Sequence, residues 1–517
     1  MAVVEERWIP ITFERGINTY DSPSLLDPGE LQVLDNLEWA GVGLTPRPAW
    51  KNAGATPAHP TNRRGRGIEP SWFEAGIRKL VMATTPTALT TYDLTKTNIA
   101  DPTAYTTITT FDAAIAITAG FREDPVRFAV GAGRLVSTQP GYPSQQLRKY
   151  DGTTAAAIAV SNIAGRAIVY HLSQFWVGGN PTTPTHLRYS APGDADTWDL
   201  ANDFVLIGQD DGEPIEDLAV WDRVLVVGKN HGLWYVAGDT PENFVVRPLE
   251  TRFGAARGRS IVPTEDGVFI VGVDGNCYLW DGGDVRRITK KFRIDPAPAL
   301  GGGYVSASFV AGKLYVTLST SGQTVWCYEP AADRWRREKV NSALNTPHDL
   351  VSFDDRYLVA TMLNPDASRT LLVREEIGPF VAGTGYRDPQ PDVSDDAIYT
   401  ATTGELWPTE GTPRRLPSPA GKATLVSLYV RYRQWTGGTS EPLVATPIVD
   451  GAEIGAQAKN FGAKAAAGLY EERRDFGASQ EGKNIAVKFS ANPVGAESES
   501  YAIEEVWAKV LIDKGPR

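Results

Sequence analysis

Cysteine is nearly absent from this chain: Cys277 and Cys327 are the only two in 517 residues. Two thiols make no disulfide framework and offer no Cys-x-x-Cys or Cys/His spacing for zinc, and they leave the redox compartment open. Histidine is almost as scarce. His59, His171, His186, His231 and His348 show no HExxH or other paired spacing. There is no GxGxxG, no Walker loop and no GxSxG, and the glycines around Gly272 in VGVDGNCYLWDGG read as turn residues, not as a phosphate cradle. No stretch approaches about 18 apolar residues, and the opening MAVVEERWIPITFERG has no basic flank leading into an apolar run. Neither membrane insertion nor a secretory leader is expected. Positive charge is in deficit, with 51 Lys and Arg against 62 Asp and Glu, a formal net charge of -11 and a pI near 5.2. That balance argues against a surface that grips phosphates by releasing counterions, while an acidic channel that lets DNA slip past stays open.

What the chain has instead is turns and aromatics: 50 Gly, 36 Pro, 14 Trp and 19 Tyr, with 42% hydrophobic and 22% charged residues. This composition suits short strands, and the length suits two or three domains. Apolar strands entered through a polar or glycine turn recur as RKLVMAT, GRLVST, SQFWVGG, DRVLVVG, DGVFIVG, GKLYVT and DRYLVAT. Their first apolar residues are Leu80, Leu135, Phe175, Val224, Val268, Leu314 and Tyr357, separated by 55, 40, 49, 44, 46 and 43 residues. A second strand follows 11 to 15 residues later, marked by Tyr92, Tyr150, Tyr189, Tyr235, Trp280 and Tyr328. A third often returns, as in ENFVVRPL, DVRRIT and DRWRREKV. Near-equal repeats of this length predict a β-propeller of about seven blades, closed so that few strand edges are exposed. The competing reading is a large β-sandwich.

The ends do not share the repeat. Residues 1–65 are predicted to be an extended arm and linker, in which DPGELQVLDNLEWA could form a helical turn or two and PAHPTNRRGRGIEP is an exposed basic loop with Arg63, Arg64 and Arg66. The propeller is placed at 66–390. Residues 391–517 are predicted to be a loop-rich connection, with one short hairpin, leading to a small β-sandwich. Its strands are TLVSLYVRYRQW, ATPIVDGAEIG, LYEERRDFG, KNIAVKFSA and YAIEEVWAKVLID, and in the last of these Val506, Ala508, Val510 and Ile512 fall on one face. The expected fold class is therefore all-β: a seven-bladed propeller, an N-terminal arm and a C-terminal sandwich.

Few residues suggest chemistry. GQDDGEPIEDL brings Asp210, Asp211, Glu213, Glu216 and Asp217 together, hard oxygen ligands that could hold calcium, but without the spacing of the twelve-residue loop. A solvated loop between blades is the expected reading. YSAPGDADTW, Tyr189 to Trp198, resembles the hairpin-stapling Asp-box of sialidase propellers, although Asp194 follows Gly193 instead of preceding it. Such a turn is structural. Glycoside cleavage would need a defined carboxylate pair, which a chain so rich in Asp and Glu does not single out. Cys277 and Cys327 are expected to be buried free thiols in corresponding strands of adjacent blades. No catalytic, cofactor-binding or metal-binding residue is assigned.

The string from Phe13 to Trp50, with GINTYDSPSLLDPGELQVLDNLEW followed by GLTPRPAW, resembles the opening of many tailed-bacteriophage structural proteins, with Arg47-Pro48-Ala49 where Arg-Pro-Gly is usual. YHLSQFWVGGNPTTPTHLRYSAPGDADTW and the strands through SIVPTEDGVFIVGVDGNCYLWDGGDVRRIT are similar to the propeller blades of those proteins. The order of arm, propeller and sandwich looks like the tail nozzle, or packaged-DNA stabilisation protein, of short-tailed phages. The resemblance implies a non-enzymatic virion protein, made in the host cytoplasm, without cofactor. Six copies would ring the DNA exit path below portal and adaptor proteins, retain the genome, carry fibres and let double-stranded DNA pass without sequence-specific binding. Alternatives are a tail-tip or baseplate protein of a long-tailed phage, a glycan-binding or depolymerising propeller, and a secreted propeller with a carbohydrate-binding sandwich.

Overall fold

The computed structural model describes residues 4–11, 13, 15–19, 30–35, 37–40, 43–46, 51–55, 68–74, 77–85, 88–92, 105–108, 125–140, 143–209, 211–292, 294, 304–318, 324–339, 347–363, 369–375, 399–403, 422–434, 443–450, 452–461, 464, 466, 468–476, 481–482, 485–491 and 501–513. Among them the regular elements are strands and short 3-10 turns, and no α-helix occurs. The fold is all-β. The chain divides into two compact units, one made of residues 51–325 and 342–377, the other of 1–50, 326–341 and 378–517. These boundaries differ from those expected at 65 and 390, because strands pair with partners far away in sequence.

The first unit is a succession of four-stranded antiparallel meanders. Ile68–Glu74, Ile77–Thr85, Ala88–Tyr92 and Tyr105–Ile108 form one, and Arg127–Gly131, Arg134–Thr138, Arg148–Tyr150 and Ala155–Ala157 form the next. The pattern repeats over residues 167–206, 215–250 and 261–287. Each strand start read from the sequence lies in the second strand of its sheet: Leu135 in Arg134–Thr138, Phe175 in Gln174–Gly178, Val224 in Val224–Lys229 and Val268 in Gly267–Val271.

These second strands are apolar without alternation because both sheet faces are covered. Phe175 and Val177 join Leu135, Val136 and Ile168 in one core, whereas Trp176, between them, points the other way and packs with Leu187, Leu218, Leu225 and Val227. The following sheet does the same, its Val226 facing Ile261, Val268 and Ile270. A strand buried on both sides must be apolar at every position, and each fully buried large side chain contributes about 1.5–3 kcal/mol.

The first strands pack on one another in chain order, from Ile68–Glu74 through Arg127–Gly131, Ala167–His171, Ile215–Trp221, Ile261–Thr264 and Val305–Val310 to Pro347–Phe353, which packs back against Ile68–Glu74. Four-stranded sheets repeated about a closed ring are the arrangement of a β-propeller. The last sheet takes its fourth strand from elsewhere. Lys51–Ala55 pairs antiparallel with Arg369–Glu375, so an N-terminal strand completes the sheet of Pro347–Phe353 and Tyr357–Leu363.

In the second unit the N-terminal residues are strands of a shared structure and not an arm lying free of it. Val4–Ile11 pairs along Tyr501–Asp513, with Val4 opposite Asp513 and Ile11 opposite Val506. Glu30–Asp35 runs between Arg334–Lys339 and Tyr399–Thr403. Leu37–Ala40 and Gly43–Pro46 form a hairpin whose Leu44 meets Ile503. The helical turns expected in DPGELQVLDNLEWA are thus replaced by strands. Leu31 and Leu34 are three apart, a helical spacing, yet a bulge between Leu31 and Val33 shifts the phase so that both are buried in a strand.

The five C-terminal strands lie where the sequence put them: Lys422–Gln434, Leu443–Val449, Gly468–Asp475, Ile485–Ala491 and Tyr501–Asp513. Val506, Ala508 and Val510 are buried, while the Ile512 side chain lies outside the described residues. Of the hairpin expected near 400, the strand Tyr399–Thr403 is described, and the rest of the connection lies outside.

Close approach between neighbouring sheets makes Gly254 obligatory. A Cβ on Gly254 would stand 1.9 Å from the Lys229 carbonyl oxygen, next to the hydrogen bond from Ala255 N–H to that same oxygen. Gly254→Ala is expected to destabilise the chain by about 2–3 kcal/mol, by displacing two backbones. Gly455→Ala, where a Cβ meets open space, is expected to leave the thermal midpoint unchanged. Paired thermal melts check both outcomes.

Candidate functional site

The acidic stretch that could have held calcium is taken apart by the fold. Asp210 lies outside the described residues. Asp211 binds the fully buried Lys229 ammonium through both oxygens, at 2.6 and 2.7 Å, and the same ammonium donates to the Ile207 carbonyl. Glu213 meets His231 at the surface, and Glu216 meets Arg166. Each described carboxylate is held by a base of its own, and among the described residues no group of three or more His, Cys, Asp or Glu side chains could hold a metal ion.

Asp217 goes deepest and carries the most contacts. Completely buried in the first strand of its sheet, it accepts from Arg127 Nη2 at 2.7 Å and Leu218 N–H at 2.9 Å on one oxygen, and from Ser260 and Ile261 N–H at 2.7 and 2.8 Å on the other. Arg127 comes from 90 residues upstream, two meanders away. A related arrangement recurs downstream. Ser306 Oγ donates to Asp349 at 2.9 Å and accepts from Leu350 N–H at 2.8 Å, and Arg259 approaches Asp349 at 3.8 Å. Several bonds between neighbouring sheets span 43 or 44 residues, the repeat length itself: Asp217 to Ser260 and Ile261, Ser306 to Asp349 and Leu350, Trp221 to Thr264, Ala311 to Asp355.

Glu69, in the first strand of the first meander, completes this buried set. Ser71 donates to it from its N–H, at 2.9 Å, and from its hydroxyl. Burial raises its pKa above 4.5, against the lowering effects of Ser71, Arg259 and Arg127. Burial likewise lowers the pKa of Arg127, with Asp217 opposing. Three carboxylates and two guanidinium groups thus interact in and beside the first strands. In chemical terms this is a staple: all four hydrogen bonds of Asp217 go to its own chain, so it has no oxygen left to activate water or hold a substrate.

The other candidates are also structural. In Tyr189–Trp198, Asp194 accepts from Asp196 N–H at 2.8 Å and Thr197 Oγ1 at 2.6 Å, while Trp198 is buried and donates to the Ala195 carbonyl at 2.9 Å. The Thr197 and Asp196 hydrogen bonds hold Asp194 below its usual carboxylate range. His186 stacks on Phe204 with centroids 4.3 Å apart, and its pKa is lowered by burial and then by Arg188. Burial lowers His171 as well. Cys277 and Cys327 are buried thiols, and burial pushes the Cys277 thiol up, away from reactivity. His59, Arg63, Arg64, Arg66 and the side chain of His348 lie outside the described residues.

Sequence reasoning passed over Glu69, Arg127, Arg259, Ser306 and Asp349. They sit in or beside the first strands, whereas the sequence repeat was marked on the second and third. A signal exists: Asp217, Ser260, Ser306 and Asp349 are polar residues at repeat spacing, each leading into an apolar stretch.

Asp217→Ala is expected to cost about 3–5 kcal/mol, since it strands a buried guanidinium and three N–H groups, and Ser306→Ala about 1 kcal/mol. Urea midpoints measure both. Because the Glu69 pKa is raised on folding, the folded chain keeps a proton that the unfolded chain releases, so this group makes stability fall as pH rises upward from 4.5. Glu69→Gln is expected to flatten that part of the stability profile and to raise stability at neutral pH. An unchanged profile would show that Glu69 titrates normally.

No protein-family model and no curated protein matches the sequence. Among solved structures the chain is similar to Raptor of Chaetomium thermophilum, with 13% identity and a TM-score of 0.42 over 64% of this chain and 28% of that one. It is also similar to a chain of the Mitotic Checkpoint Complex, with 11% identity and a TM-score of 0.43 over 63% of this chain and 92% of that one. At these scores neither likeness carries an argument about what this chain does.

Proposed function

We propose that this chain is a structural component of a bacteriophage tail, the nozzle that closes the DNA exit channel, retains the packaged genome and supports fibre attachment. The observation that carries the reading is the fate of the N-terminal segment. The residues that resemble the opening of tailed-phage structural proteins belong to one compact unit with residues 378–517, and the strand that follows them, Lys51–Ala55, completes the last sheet of the other unit. A segment used in this way serves to build architecture.

In finer detail the reading is a seven-bladed propeller with a C-terminal β-sandwich. Seven first strands that contact in chain order and return to Ile68–Glu74 support the blade number. The inward burial of Leu425, Leu428, Val430, Val506, Ala508 and Val510 on one sheet, and of Ala445, Ile485, Val487 and Phe489 on another, supports the sandwich. The ion pairs that absorb Asp211, Glu213, Glu216 and Asp217 support a mechanical role without bond chemistry. On this reading about six copies surround the channel between the adaptor and portal proteins and the fibres. An acidic wall lets double-stranded DNA pass unread, and the protein resides in the virion tail.

Light scattering and negative-stain imaging of the purified chain, alone and added to tail-deficient particles, test this. The expected result is a closed ring of about six copies, or added density at the tail exit. A persistent monomer that leaves such particles unchanged would overturn the proposal.

A further inference from the structure

Four strands of the second unit, Val4–Ile11, Tyr501–Asp513, Lys422–Gln434 and Gly468–Asp475, lie side by side in one sheet. One of its faces is core: Leu428, Val430, Val506 and Ala508 are buried. Alternation sends the residues between them to the opposite face. There Tyr429 lies directly across from Trp507, and Trp507 from Pro10, a row of flat apolar side chains on three adjacent strands spaced about 4.8 Å apart. Trp8 stands beside this row, 41% exposed, with the Arg473 guanidinium 5.7 Å from its ring centre.

The charges on this face are already paired with one another. Arg431 and Arg433 share Glu504 at 3.4 and 3.1 Å, Arg473 holds Asp475 at 3.1 Å and Lys509 holds Glu6 at 2.6 Å. Glu505 accepts from the Trp507 indole N–H at 2.6 Å, and the Tyr429 hydroxyl donates to Glu471. Four cations thus face five anions, close to neutrality. The face presents flat rings bordered by carboxylates and guanidinium groups held in place by their pairing.

We infer that this face binds a neutral polysaccharide, with Trp8, Trp507 and Tyr429 stacking on the C–H faces of the sugar rings and the bordering carboxylates and guanidinium groups hydrogen-bonding the hydroxyls. Near-neutral charge disfavours a polyanion, whether nucleic acid or acidic polymer. Paired, desolvation-costly ions between the rings disfavour a protein partner, whose interface core would be depleted of charge and broadly apolar. Sugars match both features, because a pyranose ring offers an apolar face rimmed by hydroxyls that act as donor and acceptor. This site goes beyond the tail reading and does not rest on it.

The test is isothermal titration of the full chain with dextran, laminarin, soluble starch and xylan, with heparin and alginate as polyanion controls, alongside sedimentation of the free chain. Binding of at least one neutral polymer is expected, weakened about tenfold or more by Trp8→Ala and by Trp507→Ala. Trp8→Ala, on an exposed edge strand, is expected to leave the thermal midpoint unchanged, so the test survives if Trp507→Ala does not fold. Absence of binding to every neutral polymer, binding to the polyanions alone, or binding indifferent to Trp8→Ala would overturn the inference. Self-association abolished by Trp8→Ala would instead assign the face to a second copy of this chain and overturn it equally.

Discussion

A sheet that is apolar on both faces can end only against another sheet, and that constraint organises the larger unit. Phe175 and Trp176 are adjacent in sequence and buried in opposite cores. Leu225 and Val226 repeat the arrangement one sheet later. No sheet in such a series can be stable alone, and the series has no natural terminus until its last member meets its first. The contact of Pro347–Phe353 with Ile68–Glu74 removes the two faces that would otherwise be left open. The completion of the last sheet by Lys51–Ala55 ties the beginning of the chain to the closure.

Closure places one end of each first strand close to the others, where apolar side chains alone would leave backbone N–H groups without partners. Asp217 and Ser306 answer this by accepting from the next sheet, Asp217 from Ser260 and Ile261 and Ser306 from Leu350. The carboxylates bring charge into the interior, and Arg127 and Arg259 offset it. Glu69, the third carboxylate, holds its proton more tightly than usual. Asp217, which suggests chemistry in the linear sequence, is in space part of what sets adjacent sheets in register.

The smaller unit solves a different problem, joining the two ends of the chain. Tyr501–Asp513 has Lys422–Gln434 along one edge and Val4–Ile11 along the other. The bidentate pairing of Arg337 with Asp35, at 2.5 and 3.0 Å, fastens Glu30–Asp35 within the same unit. Its outward face carries the row of Pro10, Trp507 and Tyr429, a feature that exists only because these residues come from three strands that pairing sets in line.

Strand content, repeat length and the positions of the second and third strands could be read from the sequence, because burial on one or both faces of a strand is written into local periodicity. The C-terminal strands were legible for the same reason, as the buried Val506, Ala508 and Val510 show. Partners were not legible. A strand's hydrogen-bonding groups are alike at every position, so nothing local says that Val4–Ile11 belongs beside residue 510 or Lys51–Ala55 beside residue 372. The helical spacing of Leu31 and Leu34 was overridden by a bulge that only a neighbouring strand could impose. Asp211, Glu213, Glu216 and Asp217 read as one acidic cluster because they are close in sequence. The fold sent them to Lys229, His231, Arg166 and Arg127, because each carboxylate met the base that its own position in the fold brought near, and for the buried Glu216 and Asp217 an unpaired charge would be costly.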